Sequence, residues 1–147
     1  MPKLLVFAAC EKVLIDQQNN VSLISVLQEA KVGMPDSAKE KLTPGAKVMA
    51  AMKWDALTLW VKTDDKPYEQ RVALFDPSGN HTGIEAVAGL DFGSNRTLRH
   101  IVTTLGFPVY EMGAYLLKLW VREKGQDFGD PIAEFPIAIS RDEPKTP

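Results

Sequence analysis

Apolar and polar residues alternate with a period of two along most of this chain, and β-branched and aromatic residues dominate the apolar positions. That pattern predicts strands on a pleated, half-buried surface. Leu4 to Val13 is apolar on both parities, as a central strand is. The turn cluster Asp16-Gln17-Gln18-Asn19-Asn20 leads into Val21 to Leu27, the expected hairpin partner. The polar stretch Glu29 to Gly45 reads as a crossover loop. Within it Ser37-Ala38-Lys39-Glu40 fits a capping box, and Pro35 and Pro44 confine any helix to one short turn. From Ala46 to Lys62 runs the longest strand-like segment. Val48, Ala50, Met52 and Trp54 share one parity, whereas Leu57, Leu59 and Val61 share the other. A regular strand cannot change faces, so the pattern predicts a bulge near Asp55-Ala56 that returns the second set to the core.

Further strands are expected over Tyr68 to Phe75, Ile84 to Leu90, Asn95 to Leu105, Tyr115 to Val121 and Ile132 to Ile139. Asp76-Pro77-Ser78-Gly79-Asn80 between two of them is a turn with Pro at its second position. Pro136 inside the last strand predicts an edge or a bulge, because proline cannot donate to a central ladder. About eight strands, turn signals at roughly 8–12-residue spacing and no useful helical period predict an all-β fold. Each strand has one strongly apolar face, so an antiparallel β-sandwich is expected over residues 1–140, with 141–147 as a flexible tail.

Composition sharpens this picture. The chain has 147 residues, one domain by size, and its 45% hydrophobic and 24% charged content excludes wholesale disorder. A net charge of −2 offers no field for a polyanion, so nucleic acid is not an expected partner. One Cys excludes an intrachain disulfide framework. The opening Met1-Pro2-Lys3, followed by the apolar run Leu4 to Cys10, has the outline of a lipoprotein signal. The run is too short and its charged region too thin for one. No stretch approaches ~18 consecutive apolar residues, and a cytoplasmic protein without membrane contact is expected.

Gly113-Ala114-Tyr115-Leu116-Leu117-Lys118-Leu119 resembles the Gly-x-Tyr-x-Leu-x-Val strand of immunoglobulin-like sandwiches. With Cys10-Glu11 and Asn20-Val21-Ser22-Leu23-Ile24, the chain resembles an uncharacterised family of small bacterial β-sandwich proteins. The resemblance implies an immunoglobulin-like strand pattern and brings no catalytic residues. The Cys-Trp-Cys core of antibody domains is absent.

Signals for chemistry are few. Cys10 lies in an apolar strand without a cation beside it and reads as a small buried hydrophobe. Ser78 and His81 belong to a turn of ordinary composition. His81 and His100 lack zinc-ligand spacing. Asp64-Asp65 and Asp127 with Asp130 bind calcium only if the loops bring them together, and no cofactor is expected. Gly83, Gly89 and Gly93 fit no phosphate loop.

The aromatic pattern stands out. With Leu57, Leu59 and Val61 inward, Trp60 and Lys62 face out; with Tyr115, Leu117, Leu119 and Val121 inward, Lys118, Trp120 and Arg122 face out. If the two strands are neighbours, Trp60, Lys62, Lys118, Trp120 and Arg122 form a patch of two indoles and three cations. The plainer alternative is that loops cover these rings, or that Trp and Lys stems shield one another on an ordinary surface. The patch predicts a non-enzymatic binding module whose partner is another protein or a second copy of the chain. The competing readings are a carbohydrate-binding module, which needs both rings at sugar spacing, and a small hydrolase or lyase. The enzyme would pair His81 or His100 as general base with Asp76 or Asp91.

Overall fold

The computed structural model describes residues 1–33 and 47–141. The chain is all-β there. Its nine strands are β1 (Lys3–Ile15), β2 (Val21–Val26), β3 (Glu29–Val32), β4 (Val48–Val61), β5 (Tyr68–Phe75), β6 (His81–Leu90), β7 (Thr97–Val109), β8 (Gly113–Glu123) and β9 (Ala133–Arg141). They form two packed sheets, one ordered β2-β1-β4-β7 and the other β3-β9-β8-β5-β6. Every pairing is antiparallel except β3 with β9. The expected β-sandwich is therefore the observed fold. The capping box at Ser37–Glu40, with Pro35 and Pro44, lies outside the described residues, as does 142–147 of the expected tail.

One contiguous core fills the space between the sheets. Trp54, Ala56 and Trp60 of β4 meet Val72 and Leu74 of β5, Tyr115, Leu117 and Leu119 of β8, and Ile137 of β9. The largest of these side chains are fully buried, so their aromatic and aliphatic area supplies most of the hydrophobic stabilisation.

β4 departs from the expected facing. Trp54, Ala56, Thr58 and Trp60 keep one parity and are all buried, so the inward set runs on without a break at Asp55-Ala56. The irregularity in its pairing with β7 falls between Ala50 and Lys53. Across from it, Gly106 has a φ of 85°, and there the inward set of β7 switches from Leu98 and Val102 to Phe107 and Val109. The parity break thus belongs to β7. Leu57 and Leu59 turn to the outer face of the sheet, opposite Ala8 and Val6 of β1. Leu57 is nonetheless buried there. The end of the β1–β2 hairpin folds across this face: Val13 N–H donates to Asp55 Oδ2 at 2.9 Å, and Arg99 donates to the Asn19 carbonyl at 2.9 Å. A strand covered on both sides reads as apolar on both parities.

Two further features bear on the sequence reading. β3, four residues long, lies within Glu29 to Gly45, where the sequence predicts a crossover loop. Pro136 opposes Leu116 of β8, while β3 begins its pairing with β9 only at Ala138. The proline therefore sits where β9 has no second neighbour, as its missing N–H requires.

Between β7 and β8 the chain makes a tyrosine corner. The Tyr115 hydroxyl donates to the Glu111 carbonyl at 2.7 Å and accepts from the backbone N–H of Tyr110 at 3.0 Å and of Glu111 at 3.2 Å. Burial pushes the Tyr115 hydroxyl above its ordinary pKa, so it stays a protonated donor. Such corners recur at the same kind of connection in β-sandwiches.

Candidate functional site

Trp60 and Trp120 lie on different sheets. Trp60 points into the core and is 0% exposed, so the expected two-indole surface does not form. The physical reason is across the core: Trp60 Nε1 donates to Gln70 Oε1 at 2.9 Å, and Thr58 Oγ1 donates to the same oxygen at 2.7 Å. The Gln70 side-chain nitrogen bonds His100 Nδ1 at 3.1 Å. A buried indole N–H needs an acceptor, and the carboxamide on β5 provides it. Burial pushes the His100 pKa below its ordinary value. The ring is therefore neutral at pH 7, and its Nδ1 accepts from the Gln70 amide. Lys62 lies just past the end of β4, where its Nζ is 2.6 Å from Asp65.

Lys118, Trp120 and Arg122 share the outer face of the other sheet. This face is a closed set of ring, cation and carboxylate contacts. The Arg71 guanidinium lies 4.4 Å from the Trp120 ring centroid, Lys118 Nζ lies 4.9 Å from that of Phe75, and Arg122 lies 4.0 Å from that of Phe128. Each cation also meets an acid: Arg71 with Glu85, Lys118 with Glu134 at 3.8 Å and Arg122 with Glu69 at 2.8 Å. The hydrogen bond from Arg71 holds the Glu85 carboxyl below its ordinary pKa. Trp120 is 7% exposed beneath these stems, so little ring area is left for a ligand. The sequence could not show that cations on adjacent strands would cap the indole.

The general-base candidates are engaged locally. His81 Nδ1 accepts from the Gly83 N–H at 2.9 Å, which leaves the proton on Nε2, 3.1 Å from Glu85. Asp76 Oδ1 accepts from the Asn80 N–H at 2.8 Å, and Asp91 Oδ1 accepts from the Gly93 N–H at 3.0 Å. Neither expected carboxylate partners a histidine in these bonds. Ser78 bonds Glu111.

Asp55 is buried on the outer face of the first sheet, in a groove of about 940 Å3 whose rim includes Lys12, Val26 and Ile101. Oδ1 accepts from Thr103 Oγ1 at 2.7 Å and Oδ2 from Val13 N–H, so this carboxylate pins the folded hairpin to β4 and β7. Cys10 pairs with Asp55 across the strands and is fully buried. Burial, then the negative Asp55, raise its thiol pKa, the opposite of what a nucleophile needs. Asp64 Oδ1 accepts from Lys66 N–H and Oδ2 from Tyr68 OH. Among the described residues, no group of three or more His, Cys, Asp or Glu side chains is placed to hold a metal ion.

The β1–β2 hairpin exposes several large apolar side chains, among them Leu14, Ile15, Ile24 and Val26. β2 ends its sheet, and Leu14, Ile24 and Val26 are exposed there, the last two at 42% and 45%. No family model matches the chain, and a search of curated proteins likewise finds no match. No helix among the described residues is long and apolar enough to cross a membrane.

Proposed function

We propose that the chain is a non-enzymatic interaction module of immunoglobulin-like plan that pairs with a second copy of itself through β2. The plan is supported by the order β1-β4-β7 opposite β9-β8-β5-β6 and by the tyrosine corner before β8. A cytoplasmic setting accords with the one free, buried cysteine.

One observation carries the self-association. β2 reads Val21-Ser22-Leu23-Ile24-Ser25-Val26, an edge strand with neither charge nor proline. Edge strands are normally guarded by such residues because their free backbone groups template pairing with another chain. Here the guard is a single kink, Ser25, at a φ of 51°. The other three edges carry charge: Glu29 and Lys31 on β3, Glu85 on β6 and Arg99 on β7. A two-fold interface sets each patch against its own copy, so any charge near the axis would face its like. β2 meets that condition, and Ile24 with Val26 adds apolar area to the backbone pairing.

Ile24 is exposed, and its replacement by Lys should change stability by no more than about 0.5 kcal/mol. In sedimentation velocity over a concentration series, the wild type is expected as a dimer and Ile24→Lys as a monomer with an unchanged circular dichroism spectrum. A wild type that stays monomeric throughout, or a variant that still dimerises, contradicts the proposal.

A further inference from the structure

The hairpin ladder fixes which backbone groups of β2 are free. In an antiparallel pair, residues alternate between positions whose N–H and C=O point at the partner strand and positions whose groups point away from it. Asp16 N–H donates to the Asn20 carbonyl at 3.0 Å, so these two residues face each other. Val21, opposite Ile15, then points away from β1, Ser22 towards it, Leu23, opposite Val13, away and Ile24 towards it. Val13 confirms the phase, because its N–H turns from β2 to meet Asp55 Oδ2 on the sheet. β1 is therefore the strand that rests on the sheet, and β2 lies on its far side. Val21 and Leu23 each present an N–H and a C=O to the open side of this edge.

The pairable stretch ends symmetrically. Among the described residues, the non-glycine positions with positive φ are Asn19, at 67°, and Ser25, at 51°. They flank Ser22 at equal distance along the chain. A left-handed residue swings its backbone groups out of the ladder, so the straight segment is Asn20 to Ile24, with Ser22 at its centre. A two-fold axis at Val21 or Leu23 lets only that residue bond its own copy, because the next outward position would meet Asn19 or Ser25. An axis at Ser22 sets Val21 against Leu23 of the partner subunit and Leu23 against the partner's Val21. Both pairs then exchange their two bonds, twice as many as either alternative. We infer that the proposed self-association, on whose correctness this depends, is centred on Ser22. The surface that β2 fits is the same straight segment of a second copy, bounded by the same two kinks. Ser22 then faces itself across the axis without backbone bonds between the two, with Cα atoms about 4.5 Å apart. A small uncharged side chain suits that position. Each copy spends its β2 edge in the pairing, so assembly closes at two.

Disulfide trapping reads the axis. Ser22 is exposed, so Ser22→Cys should keep the fold, and the native Cys10 is fully buried and does not compete. Cysteines facing each other at that spacing fall within disulfide range, so under oxidised glutathione Ser22→Cys should form a linked dimer about tenfold faster, or more, than Val21→Cys or Leu23→Cys. Adding Ile24→Lys should abolish the cross-link. Amide exchange gives a second reading: the Val21 and Leu23 amides should be protected in the wild-type dimer and exchange freely in Ile24→Lys, whereas the Ser22 amide, bonded to β1, should change little. A wild-type dimer that cross-links fastest at position 21 or 23, or whose Val21 and Leu23 amides stay unprotected, overturns the Ser22 axis and leaves self-association standing. A wild type that sediments as a monomer overturns both.

Discussion

Gln70→Ala should destabilise the protein by about 3–5 kcal/mol, because a single side chain serves two buried donors, Trp60 and Thr58, and the half-buried His100. Gln70 is 1% exposed at the centre of β5. Its Oε1 accepts from both Trp60 and Thr58, and its amide nitrogen meets His100. Truncation leaves an indole N–H and a hydroxyl in the core without an acceptor, each with a penalty of about 1–3 kcal/mol, and adds a cavity. Gln70→Glu keeps an acceptor for both donors but brings a carboxylate beside His100, whose pKa it should raise. Urea unfolding of both variants, followed by tryptophan fluorescence, measures the loss. A Gln70→Ala midpoint within error of wild type would contradict the network.

The same network sets a pH dependence. Burial lowers the folded-state pKa of His100 from 6.5. Between the folded value and 6.5 the unfolded chain therefore binds more protons than the native one, and stability falls as pH drops through that window. The protonated ring would also turn its Nδ1 acceptor into a donor aimed at the Gln70 amide. His100→Gln should flatten this part of the stability curve.

Tyr115→Phe is expected to lower stability by about 2–3 kcal/mol with the fold retained. Removing one hydroxyl strands two backbone N–H donors, those of Tyr110 and Glu111, and the Glu111 carbonyl. The phenyl ring keeps its edge contact with Phe107, whose centroid is 5.1 Å away, so no cavity adds to the loss. The connection from β7 to β8 should then exchange its amide hydrogens faster than the strands it joins. Thermal unfolding and hydrogen exchange across residues 109–113 check both halves of the expectation; equal exchange in variant and wild type would contradict it.

The strands that alternate cleanly were legible in the sequence. β8 is the clear case: Tyr115, Leu117, Leu119 and Val121 face the core as their parity predicts, whereas β5 buries Val72, Ala73 and Leu74 in succession and does not read by parity. β4 was harder, because the folded hairpin buries Leu57 on the face opposite the core. Apolar residues then occur on both parities, and local pattern cannot say which set meets the other sheet. One signal was present: Trp54, Thr58 and Trp60 share a parity with Met52 and Ala50, so an unbroken phase accounts for the strand without a bulge. The bulk of the two indoles would have favoured it. The missing information was non-local, namely an acceptor for Trp60 on β5. β3 escaped notice because four residues, Glu29-Ala30-Lys31-Val32, are too few to display a period, and its partner β9 lies at the far end of the chain. The outward direction of Lys118, Trp120 and Arg122 follows from the alternation of β8, yet the closure of that face depends on Arg71 and Phe75 of β5, whose register the sequence does not state.

The inward placement of Trp60 decides both the core and the absence of a two-indole surface, and indole hydrogen exchange reads it directly. In native conditions the Nε1 protons of Trp54 and Trp60 should exchange only through large-scale unfolding, with Trp60 losing that protection in Gln70→Ala. A Trp60 indole proton that exchanges freely in the native wild type would show that the ring faces solvent and that the packing described for β4 is wrong.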